Sequence, residues 1–380
     1  MNGLSHDPGG RAEKPVAYAA GAECNVAMRI RQIGPSDPLF DAWAQVFMTV
    51  GHEQWGKHTT AYPADELRAM WGKESETRHA FVAVEGEASC DDDAVGGAAD
   101  IQDDGVDTAA GVVGAAELVL PRRDNTHLAF LHLDVLAPAR RRGVGSALLS
   151  AAEEIMQDEG RTTVLVETQT PVGQPDAGGA FLAARGFAQA QRCVRNAQRL
   201  PVSDAVAAQM RAALAFDDEY VVETAVDDLP SQWLEERARL GAMMSTDTPL
   251  GDVAIEPETW DAARVHELFD TARAQGRRVV EAVAWHRPSG QMAAFTHVSV
   301  PAETPWIAYQ DDTLVEAAHR GHRLGYRVKA AVSLLLPQVA PGVEVQRTWN
   351  DETNTHMLRI NSELGYEREG TMFEWQKRLA

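Results

Sequence analysis

The segment Arg140-Arg141-Arg142-Gly143-Val144-Gly145-Ser146 carries the clearest chemical signal in the chain. Ala129 to Leu136 reads as a strand leading into it, and Leu148, Leu149, Ala152, Ile155 and Met156 share one face of the helix that follows. A strand that feeds a Gly-rich turn and then a helix makes an anion site. The first helical N–H groups are unpaired, and the helix dipole adds positive potential. Gly143 and Gly145 allow the backbone to approach a diphosphate with no Cβ in the way. The segment has no GK[ST] ending and is not a GxGxxG turn, so neither a nucleotide P-loop nor a dinucleotide fingerprint is indicated. A second basic loop, His319-Arg320-Gly321-His322-Arg323-Leu324-Gly325, follows the strand Trp306 to Val315. On the same spacing, Arg323 stands where Gly143 stands. Its side chain is expected to crowd the loop and bend the diphosphate path, although a guanidinium could itself bind phosphate.

The elements that must position these loops repeat along the chain. Met28 to Ile33 reads as a strand, Ser36 as a helix N-cap with Pro38 in the first turn, and Leu39, Phe40, Trp43, Val46, Phe47 and Val50 as one apolar helix face. A short helix follows Pro63, and Ala80 to Glu85, Gly111 to Leu120 and Thr126 to Leu136 read as strands. After the first loop, Gly160 stops the helix, and Thr163 to Val166 closes a βαβ crossover. A helix near Ala180 and strands through Leu200 complete this half. From Tyr220 the order recurs: helices after Pro230 and Pro257, a hairpin turning at Pro288-Ser289-Gly290, the second loop, a helix stopped at Pro337, and a strand from Val343 to Trp349. This is a duplicated domain rather than a solenoid. The expected organisation is a disordered lead-in over 1–23, a domain over 24–200, a linker helix over 201–217 and a second domain over 218–380. Within the first, 86–110 reads as a flexible acidic insertion, because Asp91-Asp92-Asp93 and Asp103-Asp104 stand among Gly and Ala with almost no large apolar residue.

Composition bounds the function. The chain has 380 residues, 44% of them apolar, and a net charge of −21. It has no run of membrane-spanning length and no signal-peptide core, so a cytoplasmic protein without a membrane partner is expected. The charge disfavours nucleic acid, tRNA included, and would attract a cationic amine. Cys24, Cys90 and Cys193 are scattered and form no CxxC, and no HExxH occurs, so neither a disulfide framework nor a metal site is indicated.

The spacing Arg140-x-x-Gly143-x-Gly145, in its strand-to-helix setting, resembles the acyl-CoA motif of the GNAT superfamily of N-acyltransferases. The second half resembles the C-terminal half of actinobacterial tandem GNAT proteins, through Trp349-Asn350, Asn354, Met357-Leu358, Asn361 and Leu364-Gly365-Tyr366. The likeness runs from about Met28 to Leu379 without the acidic insertion. It implies an α/β (α+β) fold of two tandem domains, each a mixed, mostly antiparallel twisted sheet flanked by helices around a βαβ crossover. It also implies acetyl-CoA or another acyl-CoA as co-substrate, a small primary amine as acceptor, and a monomer or homodimer.

The resemblance further implies that the cofactor lies along Val135, Leu136 and the loop Arg140, Arg141, Arg142, Gly143, Val144, Gly145 and Ser146. A second such place would be Leu314, Val315, Arg320, Gly321, His322, Arg323, Leu324, Gly325 and Asn354. Parallel strands splay beside each loop, and a base belongs on the strand before the loop or on its neighbour. The candidates are His132, Asp134 and Glu117 in the first half, and Asp311 and Asp312 in the second, with Thr313 a possible hydrogen-bonding group. The place of the family's acidic tyrosine holds Leu182 in one half and Asn361 in the other. Leucine donates no proton, and asparagine donates only a hydrogen bond. Trp43, Trp55, Tyr62 and Trp71 fall where the family builds its acceptor site, and core packing is the expected role of Trp43. His52, Glu53 and His58 are expected in the loop between the two early helices, lining that site. The N-terminal half is expected to be the catalytic one. The alternatives are an active C-terminal half and an acyl-CoA-binding protein without turnover.

Overall fold

The computed structural model describes residues 15–16, 28–86 and 111–379. The expected lead-in and acidic insertion therefore lie, except for Pro15, Val16 and Gly86, outside the described residues, as do Cys24 and Cys90.

In chain order the elements are β1 (Pro15–Val16), β2 (Met28–Ile33), α1 (Phe40–Trp55), α2 (Ala64–Ala69), β3 (Glu76–Glu85), β4 (Val112–Pro121), β5 (Leu128–Val135), α3 (Val144–Asp158), β6 (Thr163–Pro171), α4 (Ala177–Ala183) and β7 (Ala188–Arg199). After α5 (Asp204–Leu214) come β8 (Tyr220–Val226), α6 (Leu234–Asp247), α7 (Ala262–Ala274), β9 (Arg278–His286), β10 (Gln291–Val300), β11 (Ile307–Val315), α8 (Leu324–Val339), β12 (Val345–Asp351), α9 (Thr355–Glu363) and β13 (Tyr366–Arg378).

Alternation along the strands assigns the layers. Phe81, Ala83, Ala116 and Leu118 point to α3, while Ala80, Val82 and Ala115 point to α1, so the two helices cover opposite faces. In the second half Val280, Ala282 and Ala284 meet α8, and Val279 and Val283 meet α6 and α7.

All strands join one 13-stranded sheet in the order β1-β2-β3-β4-β5-β6-β13-β7-β12-β11-β10-β9-β8. Only the pairs β5–β6 and β11–β12 are parallel among the described strands. Two sheets of one half each would follow from the duplicated sequence. Instead, the last strand of each half crosses to the other. β13 lies against β6 from Arg378↔Thr163 to Gly370↔Pro171, and β7 lies against β12 from Arg199↔Val345 to Cys193↔Asp351. β7 and β13 then pair with each other. Both inner sheet edges are closed, so no row of backbone donors and acceptors is left unpaired there.

Local outcomes differ from the sequence reading at three points. α1 begins at Phe40 with Leu39, not Ser36, at the N-cap and no side-chain cap; Asp37 Oδ1 accepts from the Leu39 N–H at 2.9 Å and holds the turn before it. The same helix runs on to Trp55, which places His52 and Glu53 in its last turns rather than in a loop. Gly51 permits this extension, since a Cβ there would lie 2.0 Å from Thr59 Oγ1. α8 passes Pro337 and ends at Val339. In the last turn a proline removes one backbone bond without breaking the body of the helix.

Candidate functional site

The two parallel pairs are forks. β5 and β6 pair from Leu128↔Thr163 only as far as Leu131↔Val166, although both strands continue. β11 and β12 pair only from Ile307↔Val345 to Tyr309↔Arg347. Each fork opens beside one basic loop, and the helix after the loop starts at its mouth.

The two loops have the same backbone path with the glycine moved. Arg141 (φ 63°) and Gly143 (φ 88°) are left-handed in the first, and Gly321 (φ 92°) and Arg323 (φ 55°) are left-handed at the matching positions of the second. Arg323 therefore does not bend the loop as expected from its bulk. Its backbone adopts the turn at a cost of about 1–2 kcal/mol, and its guanidinium turns out to Glu363 at 3.4 Å and over the Tyr326 ring at 4.6 Å. Among the described residues, no acceptor is paired with the backbone N–H groups from Arg141 to Ser146 or from Gly321 to Tyr326. These rows of free donors at helix starts fit a diphosphate. A Cβ on Gly145 would stand 3.2 Å from the Phe181 ring, and one on Gly325 3.3 Å from Ile360 Cδ1, so both glycines sit where the helix start closely meets a neighbouring helix.

The loop side chains divide by role. Arg140 Nε donates to the Val135 carbonyl at 2.8 Å and its Nη2 to Glu53 at 2.7 Å, so it braces the turn. Arg320 does the same with Val315 at 3.2 Å and Asp247 at 3.0 Å. Arg142 pairs with Glu85 at 2.7 Å. The Leu136 N–H donates to the Val113 carbonyl, and Val144 is buried beneath the loop. Ser146 Oγ accepts from Arg185, whose guanidinium lies 3.7 Å from the centre of the Phe181 ring. Arg185 is thus a cation at the helix start that the sequence spacing did not indicate. In the second half Leu314 and Leu324 are buried, Val315 packs beside Gly325, and the His322 ring lies 5.0 Å from that of Tyr220. Asn354 caps α9, its Oδ1 accepting from the Met357 N–H at 3.1 Å.

At the first fork, His132 Nε2 lies 3.3 Å from Asp134 Oδ2, and the imidazole stacks on Phe47 at 4.4 Å. Half of the His132 side chain (51%) meets solvent. Burial lowers the His132 pKa, but the hydrogen bond and charge of Asp134, with Glu117 and Glu167 behind it, reverse this and hold the imidazole above its ordinary value. Glu117 is buried and paired with Arg78 at 2.5 Å, so its charge is already committed to a salt bridge.

Two further carboxylates stand beside this fork. Glu167 lies just past the fork on β6, and Glu374 is its direct cross-strand partner on β13. Burial, and then the Glu167 charge, push Glu374 up to about 8. Burial also raises Glu167, against the opposing influence of Gln169, His132 and Arg195. Reading within one half could not find this pair, because Glu374 arrives on the exchanged strand.

At the second fork, Thr296 pairs with Thr313 and Val298 with Gln310, so β11 carries one extra residue at Asp311-Asp312. This is a β-bulge, and the first half has no counterpart, since β4 and β5 pair without interruption. Ser299 Oγ donates to Asp311 at 2.9 Å. Burial raises Asp311 to about 6, against the nearby His297 charge. The Asp312 carbonyl accepts from Thr296 Oγ1, which also bonds Thr313 Oγ1. Asn361 is buried on α9: its Nδ2 donates to Asn350 Oδ1 at 2.6 Å, and its Oδ1 has no partner among the described residues. Leu182, its counterpart, is ordinary core beside α3.

The early aromatics part company. Trp43 is fully buried with Phe40, Phe47 and Trp71 and donates to the Ala116 carbonyl at 3.0 Å, as a core residue does. Trp55 lies 3.6 Å from the Arg195 guanidinium, and Tyr62 faces Arg277. Among the described residues no group of three or more His, Cys, Asp or Glu is placed to hold a metal, and no helix is long and apolar enough to cross a membrane.

Residues 47–187 match the family model described as Acetyltransferase (GNAT) family. Among curated proteins no match was found. Of the solved structures with similar folds, a tandem GNAT protein from the clavulanic acid biosynthesis pathway has a TM-score of 0.71 at 21% identity, over 92% of this chain and 98% of that one. A GCN5-related N-acetyltransferase from Sphaerobacter thermophilus has a TM-score of 0.62 at 15% identity, over 92% and 95%. At these identities the likeness is one of fold, and that fold is the tandem GNAT arrangement.

Proposed function

Proceeding from a GNAT acetyltransferase domain at residues 47–187, we propose that the chain is an acyl-CoA-dependent N-acyltransferase that acts on a primary amine of a small molecule. Acetyl-CoA is the favoured donor. The units are 24–200 and 218–380, joined through 201–217, and the first does the chemistry. The observation that carries this reading is the joining, in the first half, of a free N–H cradle to a fork floored by proton-handling groups.

In this reading the N–H groups from Arg141 to Ser146 and the Arg185 guanidinium hold the diphosphate. The bound acyl-CoA supplies a thioester, an acyl group already activated for attack by an amine. Glu167 attracts and orients the ammonium, and Glu374, protonated below about pH 8, hydrogen-bonds beside it. His132, oriented by Asp134, removes the ammonium proton so that the lone pair attacks the thioester carbonyl, the C–S bond breaks, and CoA leaves as its thiolate and is protonated to the thiol. A buried free thiol at Cys193 fits a reducing compartment such as the cytoplasm.

A specific observation favours a second reading, in which the C-terminal half is active. The bulge at Asp311-Asp312 lies on the strand that leads to the second loop, and Asn361, with its Oδ1 unpartnered among the described residues, bonds Asn350 on the fork's other strand.

Two substitutions separate the readings. Gly145→Val and Gly325→Val each place a branched side chain at one cradle, against Phe181 and Ile360 respectively. Assayed by CoA thiol release with acetyl-CoA and a panel of amines, Gly145→Val is expected to lower kcat/KM by about 100-fold or more, or ~2.7 kcal/mol. Gly325→Val is expected to leave it within about threefold. The reverse pattern would make the C-terminal half the enzyme. Stabilisation by acetyl-CoA with no thiol release from any amine would leave only a binding protein.

A further inference from the structure

On the sheet face that carries His132, the first fork is bounded on one side by α1, whose Phe47 stacks on that imidazole, and on the other by a strap from the second half. The strap is residues 248–261, between α6 and α7, which form neither helix nor strand. The matching link of the first half, 56–63, is shorter. A long connection with no secondary structure of its own, inside a compact fold, is usually a binding loop or lid.

The strap is seated by specific groups beside the fork. Glu167, Glu374 and Gln191 are cross-strand partners in one row across β6, β13 and β7. At the end of that row Gln191 Nε2 donates to the Pro249 carbonyl at 2.9 Å. Next to Gln191, β7 carries one extra residue, Ala190, against β13. The extra residue of a bulge is left out of the ladder, and here the Ala190 carbonyl accepts from the Asp252 N–H at 2.9 Å. Gly251 makes this approach possible: its φ is 59°, and a Cβ there would stand 2.5 Å from the same carbonyl. Gln376 lies two residues from Glu374 and on its face, and its Oε1 accepts from the Ala254 N–H at 2.8 Å. Beyond the fork, His127 Nε2 meets the Ala254 carbonyl at 2.9 Å, and Asn125 Oδ1 accepts from the Glu256 N–H at 2.7 Å.

The ground between these boundaries is open to solvent. Glu167 is exposed, half of His132 meets solvent, and Pro249, Gly251 and Asp252 are exposed along the strap. Glu374 is half-buried, flanked by the two amides on which the strap rests. The same clasp exists in mirror image. Trp306, immediately before β11, donates to the Lys57 carbonyl at 2.8 Å, as His127, immediately before β5, meets Ala254. Each half thus holds the other's inter-helix link, and the longer link is the one that runs beside the fork with His132 and the Glu167–Glu374 pair.

We infer that residues 249–254 of the second half form the acceptor wall of the first fork, with Gln191 and Gln376 as the positioning residues that seat it. The cradle of one half holds the acyl-CoA, and the strap of the other selects the amine, whose body lies along residues 249–254 while its nitrogen meets His132. This inference rests on the first half being the acyltransferase.

Steady-state kinetics of the full chain by CoA thiol release, with acetyl-CoA and with propylamine, benzylamine and 1,4-diaminobutane as acceptors, test it. Gln376→Leu removes the amide that holds the strap at little change in bulk, and Gly251→Val drives the strap off the Ala190 carbonyl. In each, KM for the best of the three amines should rise about tenfold, and the spread of kcat/KM among the three should narrow about fivefold, while KM for acetyl-CoA stays within about twofold. Trp306→Phe, which loosens the mirror clasp, should leave the amine KM within about twofold. Amine KM and selectivity unchanged in both strap variants overturn the inference. So does a parallel rise of the amine and acetyl-CoA KM values, which is what a merely structural strap would give, and so does an effect confined to Trp306→Phe. Each of these results, obtained with an active wild-type chain, leaves the acyltransferase reading standing. A wild-type chain that releases no thiol with any amine sinks that reading and the strap's role with it.

Discussion

Glu374 owes its altered titration to a neighbour from the other half of the chain. Its folded pKa, about 8, lies above the ordinary 4.5 because burial and the Glu167 charge favour the neutral form. The folded protein therefore holds a proton that the unfolded chain releases between about pH 4.5 and 8. Stability from this group is fully present below pH 4.5 and is lost as pH rises through 8. Glu374→Gln should remove this slope, so that its stability gains on the wild type between pH 5 and pH 9 in urea unfolding. Curves that stay parallel across that range would show that Glu374 is not held neutral. The loops illustrate a different residue-scale point. Backbone geometry, not residue identity, is what the halves share: a left-handed residue is required at two positions, and each loop gives its glycine to a different one.

At the scale of the element, β13 is the strand on which the first half depends. It pairs along its length with both β6 and β7, Trp375 Nε1 donates to Thr168 Oγ1, and Lys377 meets Glu153 at 2.7 Å. A chain ending at Leu364 would leave β6 and β7 with open edges in the middle of the sheet. It is expected to lose the cooperative thermal transition seen by circular dichroism, although every residue of the first half is present. A chain of 24–217 alone should behave likewise. Cooperative unfolding of either at a temperature near that of the full chain would mean that the first half closes its own sheet.

At the scale of the whole molecule, the halves are bound well beyond the exchanged strands. Trp306 Nε1 donates to the Lys57 carbonyl at 2.8 Å, Arg277 meets Glu66 at 2.8 Å, Arg123 meets Glu267 at 2.8 Å, and Arg264 meets Asp124 at 2.5 Å. With one continuous sheet through both, neither half has an independent unfolded state to visit. Calorimetry of the full chain should give one transition with matching calorimetric and van't Hoff enthalpies. Two resolved transitions would contradict this.

The sequence by itself determined the elements and the cradle. Helical and alternating apolar patterns are local, so α1, α3, α8 and most strands follow from spacing. The Arg/Gly turn is also local, and it forms a row of free helix-start donors wherever a strand leads into it. The tertiary structure decided which strand borders which, and with it the chemistry around the forks. Glu167 meets Glu374, and Arg195 meets Arg347, only because each half sends its last strand across. Strand partners are chosen by the edges that remain open after the rest has packed, and those contacts lie more than 140 residues apart in the chain. Asn361 and Leu182 show the same limit at one position: their places were legible, but the unpartnered oxygen of one and the plain core setting of the other depended on what α9 and α4 were packed against.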